Sequence, residues 1–218
     1  MNTAKPASNK SLRIRVGLAA LLAVAVLSLP LWQRTPPPAL QVATLVRSPK
    51  TLQPFELIDH NGTPFDGARL QHQWSLVYFG YTHCPDVCPT GLSDLNATVK
   101  LIARESPGVQ APQIIFVSVD PGRDSPEILK SYVPYFNPAF LGVTGSRDAL
   151  AGFAKQLNAS FVFIKETLDD KDYIVDHTVE VTLIDPEGKL YATFKPPLKP
   201  AAMAADYAAL THYYEDSQ

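Results

Sequence analysis

Two cysteines, Cys84 and Cys88, are the only thiols in a chain of 218 residues. They stand in the string Tyr78-Phe-Gly-Tyr-Thr-His-Cys84-Pro-Asp-Val-Cys88-Pro89, where an apolar run ends and a helical pattern begins. If Pro85–Cys88 is helical, a spacing of four puts both sulfurs on one face, one turn apart. A helix N-terminus offers free N–H groups and the positive end of the dipole, so a thiol there is expected to have a lowered pKa. Such a pair can close to a disulfide or grip one soft metal ion through two thiolates. Thioredoxin-like redox motifs use C-x-x-C, so the extra residue weakens a purely redox reading. As a structural staple the pair is poor, because so short a loop removes little chain entropy.

Two thiolates leave a metal site incomplete. Of the five histidines, His177 is the best-placed third donor, just before the strand-like run Val179–Ile184. A lone histidine there also serves as a surface or hydrogen-bonded residue, and both readings stay open at this point. His83 adjoins Cys84, but neighbouring helix positions point apart, and His60, His72 and His212 have no metal-ligand context. Two cysteines and one histidine form a soft three-ligand set that suits Cu(I) and, with the imidazole, can also hold Cu(II). Structural zinc prefers four protein ligands, and no obvious fourth is present.

The elements that would position these residues are readable in outline. Phe55–Asp59 alternates in polarity and meets Asn61-Gly62, a hairpin signal, with Thr63-Pro64-Phe65 starting the return. Trp74–Gly80 and Ile114–Val119 read as buried strands, with a helix from Pro89 to about Arg104 between them. Ser125-Pro126 is an N-cap followed by proline at the first helical position, and Ser146 caps a helix with Leu150, Phe153 and Leu157 on one face. Phe161–Ile164 and Val179–Ile184 read as strands. Asp185-Pro-Glu-Gly188 is a turn into the strand Leu190–Phe194, and Ala201–Tyr214 is a last helix. Strands alternating with helices, then a tight hairpin closing the sheet, predict an α/β domain with a parallel part, an antiparallel edge and helices on both faces.

Composition narrows the function. The 46% hydrophobic and 18% charged content is that of a globular chain. Residues 1–15 carry four basic side chains and no acid, leaving 15 basic and 21 acidic residues beyond them. That balance lacks a nucleic-acid footprint, and neither a P-loop nor a G-x-G-x-x-G motif occurs. Val16–Trp32 is almost wholly apolar and just long enough to cross a bilayer. With four basic residues before it and Arg34 alone close behind it, residues 1–15 are expected in the cytoplasm, 16–32 as a transmembrane anchor and the rest outside. A cleaved signal peptide is the competing reading, although no small-x-small site follows the apolar run. Residues 33–54 are proline-rich and read as an extended linker to a domain at 55–218.

The string Phe79-Gly-Tyr-Thr-His-Cys84-Pro-Asp-Val-Cys88-Pro closely resembles the signature of the Sco/SenC family of copper-binding thioredoxin-fold proteins. Val117-Ser-Val-Asp120-Pro-x-Arg123-Asp124-Ser-Pro126 with Leu129-Lys130-x-Tyr132, Gly142-Val-Thr-Gly145, and Asp176-His177-Thr178 with Asp185-Pro-Glu-Gly188 resemble further family motifs. The resemblance implies a thioredoxin-like α/β fold with an added amino-terminal β-hairpin, and copper held by Cys84, Cys88 and His177. His177-Thr178 stands where redox thioredoxins carry a cis-proline. It also implies a copper chaperone that delivers copper to, or prepares, the dinuclear copper site of cytochrome c oxidase subunit II. Its partners would be that acceptor or another, together with a copper donor. Its place would be the bacterial cytoplasmic membrane, single-pass, with the domain facing the periplasm. The alternative is a thiol-disulfide oxidoreductase or redox sensor in which Cys84 and Cys88 are the redox-active pair and His177 is dispensable. A peroxiredoxin-like peroxidase and a simple copper buffer are more distant readings.

Overall fold

The computed structural model describes residues 36–164 and 173–217. The chain divides into two compact units, Ala39–Thr211 and Met1–Pro38 with His212–Gln218. Of the second, residues 36–38 and 212–217 are described. The anchor expected at 16–32 lies outside the described residues. Among those described, no helix is long and apolar enough to cross a membrane.

The elements run β1 (Ala43–Leu45), β2 (Leu57–Asp59), β3 (Pro64–Phe65), β4 (Ser75–Gly80), α1 (Val87–Glu105), β5 (Gln113–Ser118), α2 (Pro126–Phe136), β6 (Leu141–Thr144), α3 (Arg147–Gln156), β7 (Phe161–Ile164), β8 (Ile174–His177), β9 (Val181–Ile184), β10 (Leu190–Phe194) and α4 (Pro200–Glu215). Eight strands form one sheet in the order β1-β10-β9-β4-β5-β6-β2-β3, and β7 and β8 form a separate two-stranded ribbon. β4, β5 and β6 are parallel to one another, and β9, β10 and β1 on one side and β2 and β3 on the other each join their neighbour by an antiparallel pairing. This is the mixed α/β sheet that the alternation of strands and helices foretells, and the thioredoxin-like arrangement with an added hairpin that the family resemblance implies, the β2–β3 hairpin lying beyond β6. Every residue of β4 is buried, as expected of a near-continuous apolar run covered on both faces.

Local signals act as their chemistry requires. Ser125 and Ser146 accept N–H bonds from Ile128 and Ala149 at the starts of α2 and α3, with Pro126 opening α2. Gly62 takes φ +78° in the β2–β3 turn, and the buried Asp59 carboxylate accepts the Asn61 and Thr63 N–H groups at 2.8 and 3.0 Å. His60 pins this hairpin to β6: its Nδ1 accepts the Gly142 N–H at 3.0 Å.

Two readings change. Residues 43–45, placed in the linker, form β1 on β10, so the β9–β10 hairpin is not the sheet edge. The reason is tertiary: the buried Asp206 carboxylate on α4 accepts the N–H groups of Gln41, Val42 and Ala43 at 2.7–3.0 Å. The second change is β8, a strand the sequence reading lacked. Its partner β7 supplies the register, with Phe161 opposite His177.

Candidate metal centre

The cysteine segment follows the C-terminal end of β4, in the central parallel strand pair β4–β5. β4 ends at Gly80, the chain turns through residues 81–86, and α1 begins at Val87. Cys84 therefore lies in the turn, its N–H bonded to the Tyr81 carbonyl at 3.3 Å, while Cys88 lies in the first turn of α1. The two sulfurs do not share a helix face, because Pro85 and Asp86 precede the helix. The turn brings them together instead. Both cysteines are reduced, with Cys84 8% exposed and Cys88 fully buried.

The close approach depends on two glycines. A Cβ at Gly80 would stand 3.0 Å from Cys88 Sγ and 2.5 Å from a Phe116 ring carbon. A Cβ at Gly91 would stand 2.5 Å from the Tyr78 hydroxyl, which donates to the Val87 carbonyl at 2.9 Å. Bare backbone at both positions lets α1 settle onto β4 with its first turn tied down.

His177 arrives from the ribbon. Its Nε2 is 3.5 Å from Cys88 Sγ, and the donor atoms of Cys84, Cys88 and His177 all lie within 4.8 Å of one another. His177 Nδ1 is 3.0 Å from the Thr178 carbonyl oxygen, which can only accept, so Nδ1 carries the hydrogen. The Nε2 lone pair is thereby aimed at the sulfurs, the orientation a metal-binding imidazole needs. The Tyr81 ring meets the imidazole edge-on, with centroids 5.9 Å apart at 89°.

Burial sets the proton affinities. It lowers the His177 pKa and keeps the ring neutral. Burial also pushes the Cys88 thiol well up, reinforced by its hydrogen bond to Cys84. The fall expected from the helix N-terminus is not found at Cys88, since desolvation of a fully enclosed thiolate outweighs the dipole. A soft cation arriving at Cys88 must displace its proton.

A cleft of about 620 Å³ is lined by Cys84 and His177 with Tyr81, Val87, Ile164 and Ile174. Cys88 sits behind it. Among the described residues, no other histidine joins the donor cluster, although His83 lines the same cleft. His83 is half-exposed, with Nδ1 3.1 Å from Thr82 Oγ1 and 3.7 Å from Asp124 Oδ1, and His60 serves the hairpin.

Residues the sequence reading quoted only as a motif support the site. Asp124, fully buried, accepts the Thr82 N–H at 2.8 Å, the Thr82 hydroxyl at 2.5 Å and the Ser118 hydroxyl at 2.5 Å. It thus ties the turn bearing Cys84 to the end of β5. Two acidic residues and an arginine within five positions of a turn were the available signal, but their partners are distant in sequence.

A "SCO2-like protein" of Rickettsia felis is 35% identical over 185 residues, covering 84% of this chain and 89% of that protein. The copper-bound crystal structure of Arabidopsis thaliana ScoI superposes with a TM-score of 0.70 at 31% identity, covering 76% of this chain and 100% of that one. Copper-bound yeast Sco1 gives 0.66 at 32%, covering 72% and 86%. The family model described as SCO1/SenC matches residues 44–212, a span that contains both arms of the sulfur–nitrogen cluster, and the chain belongs to that family.

Proposed function

We propose that this protein is a membrane-anchored copper chaperone whose cargo is held by Cys84, Cys88 and His177. The observation that carries the reading is the convergence of two thiols and an oriented imidazole nitrogen within 4.8 Å. Two sulfurs and one nitrogen are a donor set for Cu(I), and the neutral imidazole extends it to Cu(II). Relatives of about one-third identity have been crystallised with copper bound, which supports copper over other soft cations.

Uptake of Cu(I) releases the thiol protons, while His177 gives up none because it is already neutral. Delivery proceeds by ligand exchange. Cys84 and His177 line the cleft, so an acceptor thiolate approaching there replaces them before it reaches Cys88. The acceptor that the family resemblance implies is the dinuclear copper site of cytochrome c oxidase subunit II. The apolar segment 16–32 would anchor the domain on the outer side of the cytoplasmic membrane.

A titration of the full chain with Cu(I), without oxygen and against a competing chelator, tests this. One tightly held copper per chain is expected, weakened by each of Cys84→Ser, Cys88→Ser and His177→Ala. A second reading rests on the two free thiols lying within 4.8 Å of each other, which suits a thiol-disulfide oxidoreductase attacking through the more accessible Cys84. It gains the field if copper is not retained, the Cys84–Cys88 disulfide cycles reversibly and His177→Ala leaves that cycle intact.

A further inference from the structure

His177 owes its ring orientation to its own neighbour Thr178, but that local bond does not hold the ribbon against the cysteine turn. The ribbon is a separate sheet, and its outward residues Val162, Ile164 and Ile174 face solvent. Something else must fix it.

The loop between β5 and α2 does so from beneath. Asp120 is fully buried, and its two carboxylate oxygens have different partners. Oδ1 accepts the Tyr173 hydroxyl at 2.7 Å, and Oδ2 accepts Arg123 Nε at 2.5 Å. The Arg123 guanidinium lies 3.7 Å over the centroid of the Tyr173 ring and 5.6 Å from that of Tyr81. Its Nη2 is buried and makes no hydrogen bond among the described residues, so that end of the guanidinium is held by ring faces. Tyr173 immediately precedes β8, and Tyr81 is the ring that abuts His177. Four residues further along the loop, Asp124 holds the cysteine turn through Thr82.

We infer that Asp120, Arg123 and Tyr173 form a positioning lock that seats the histidine ribbon over the cysteine turn, so that one loop sets the distance between the two halves of the metal site. The inference rests on the reading of His177 as a copper ligand. The three are not members of the sulfur–nitrogen cluster; they act through Tyr81 and the start of β8. Charge-assisted hydrogen bonds to a buried carboxylate are among the stronger polar contacts, and a planar guanidinium can stack on a tyrosine while bonding a carboxylate at its edge. Lysine cannot do both.

The test uses the full chain carrying Tyr173→Phe, which removes one hydroxyl, or Arg123→Lys, which keeps the charge, beside His177→Ala and the unaltered protein. Cu(I) affinity is expected to fall about 10–100-fold in both lock variants, the usual cost of losing an outer support of a metal ligand. The nitrogen hyperfine pattern of the Cu(II) form should weaken toward that of His177→Ala. In the metal-free protein, amide exchange should quicken at residues 174–177 and stay slow in β4, with the Cys84–Cys88 reduction potential unchanged.

If His177→Ala binds copper as the unaltered protein does, the ligand reading fails and takes the lock with it. If His177→Ala loses copper while both lock variants keep full affinity and slow exchange in β8, the lock alone is overturned. It is equally overturned if β4 loses protection along with β8, or if neither variant folds, because the cluster then serves the whole fold. Should one variant fail to fold, the other decides on the same criteria.

Discussion

The two arms of the candidate metal site are built in opposite ways. The cysteine arm grows out of β4, a strand buried at every position, and its α1 end is tied down by Tyr78 and fitted through Gly80 and Gly91. The histidine arm is a two-stranded ribbon outside the main sheet, with alternate residues facing solvent and Ile174 63% exposed. A soft ion held between them, as proposed, would meet one sulfur that cannot move without disturbing the core and one nitrogen on an element held in place from outside the main sheet, through Asp120, Arg123 and Tyr173. The difference suits the proposed chaperone role, in which the site must both hold and surrender its cargo. Stability is concentrated under Cys88, whereas the seating of His177 rests on a few contacts at the start of β8.

Three substitutions probe that contrast. The largest effect is expected from Gly80→Ala, since the new methyl meets Phe116 at 2.5 Å and Cys88 Sγ at 3.0 Å. Overpacking of this kind costs about 1–3 kcal/mol, to be read by urea unfolding, and the displaced sulfur should weaken Cu(I) binding in the same protein. An unchanged unfolding midpoint would show that the cysteine arm is softer than described here.

Tyr78→Phe should come next. It removes the hydroxyl that holds the Val87 carbonyl at the start of α1, a loss of about 1 kcal/mol. Faster amide exchange confined to the first turn of α1 would locate the effect, whereas a uniform rise across the sheet would contradict a local tether.

On the other arm, Ile174→Thr replaces an exposed apolar side chain on a strand and should change stability by less than about 0.5 kcal/mol. Thermal unfolding checks it. A loss comparable to that of Gly80→Ala would mean that the ribbon is as much part of the core as β4 is.

Much of this protein is set locally and was legible residue by residue. The apolar run at 74–80 makes a buried strand, Ser125-Pro126 and Ser146 start helices, and Asn61-Gly62 turns a hairpin, because each depends on neighbours within a few positions. The cysteine pair announced its chemistry by type and spacing. His177 stood out only as a histidine before a strand, and the strand it actually ends, β8, is too short to signal itself and exists by pairing with β7. β1 needed the Asp206 carboxylate from more than 160 residues away. Asp120, Arg123 and Tyr173 read as ordinary loop residues until the fold brings Tyr173 back across 53 positions to a buried carboxylate. The helix-dipole argument for Cys88 failed for the same reason: a dipole can be inferred from a helix start, but the depth at which the sulfur is enclosed depends on everything packed around it. The sequence by itself determined which donors this chain owns and the elements that carry them. Only the tertiary structure decided how far apart they sit, how deeply each is buried and which loop holds them there, because those are properties of contacts between segments that the chain separates.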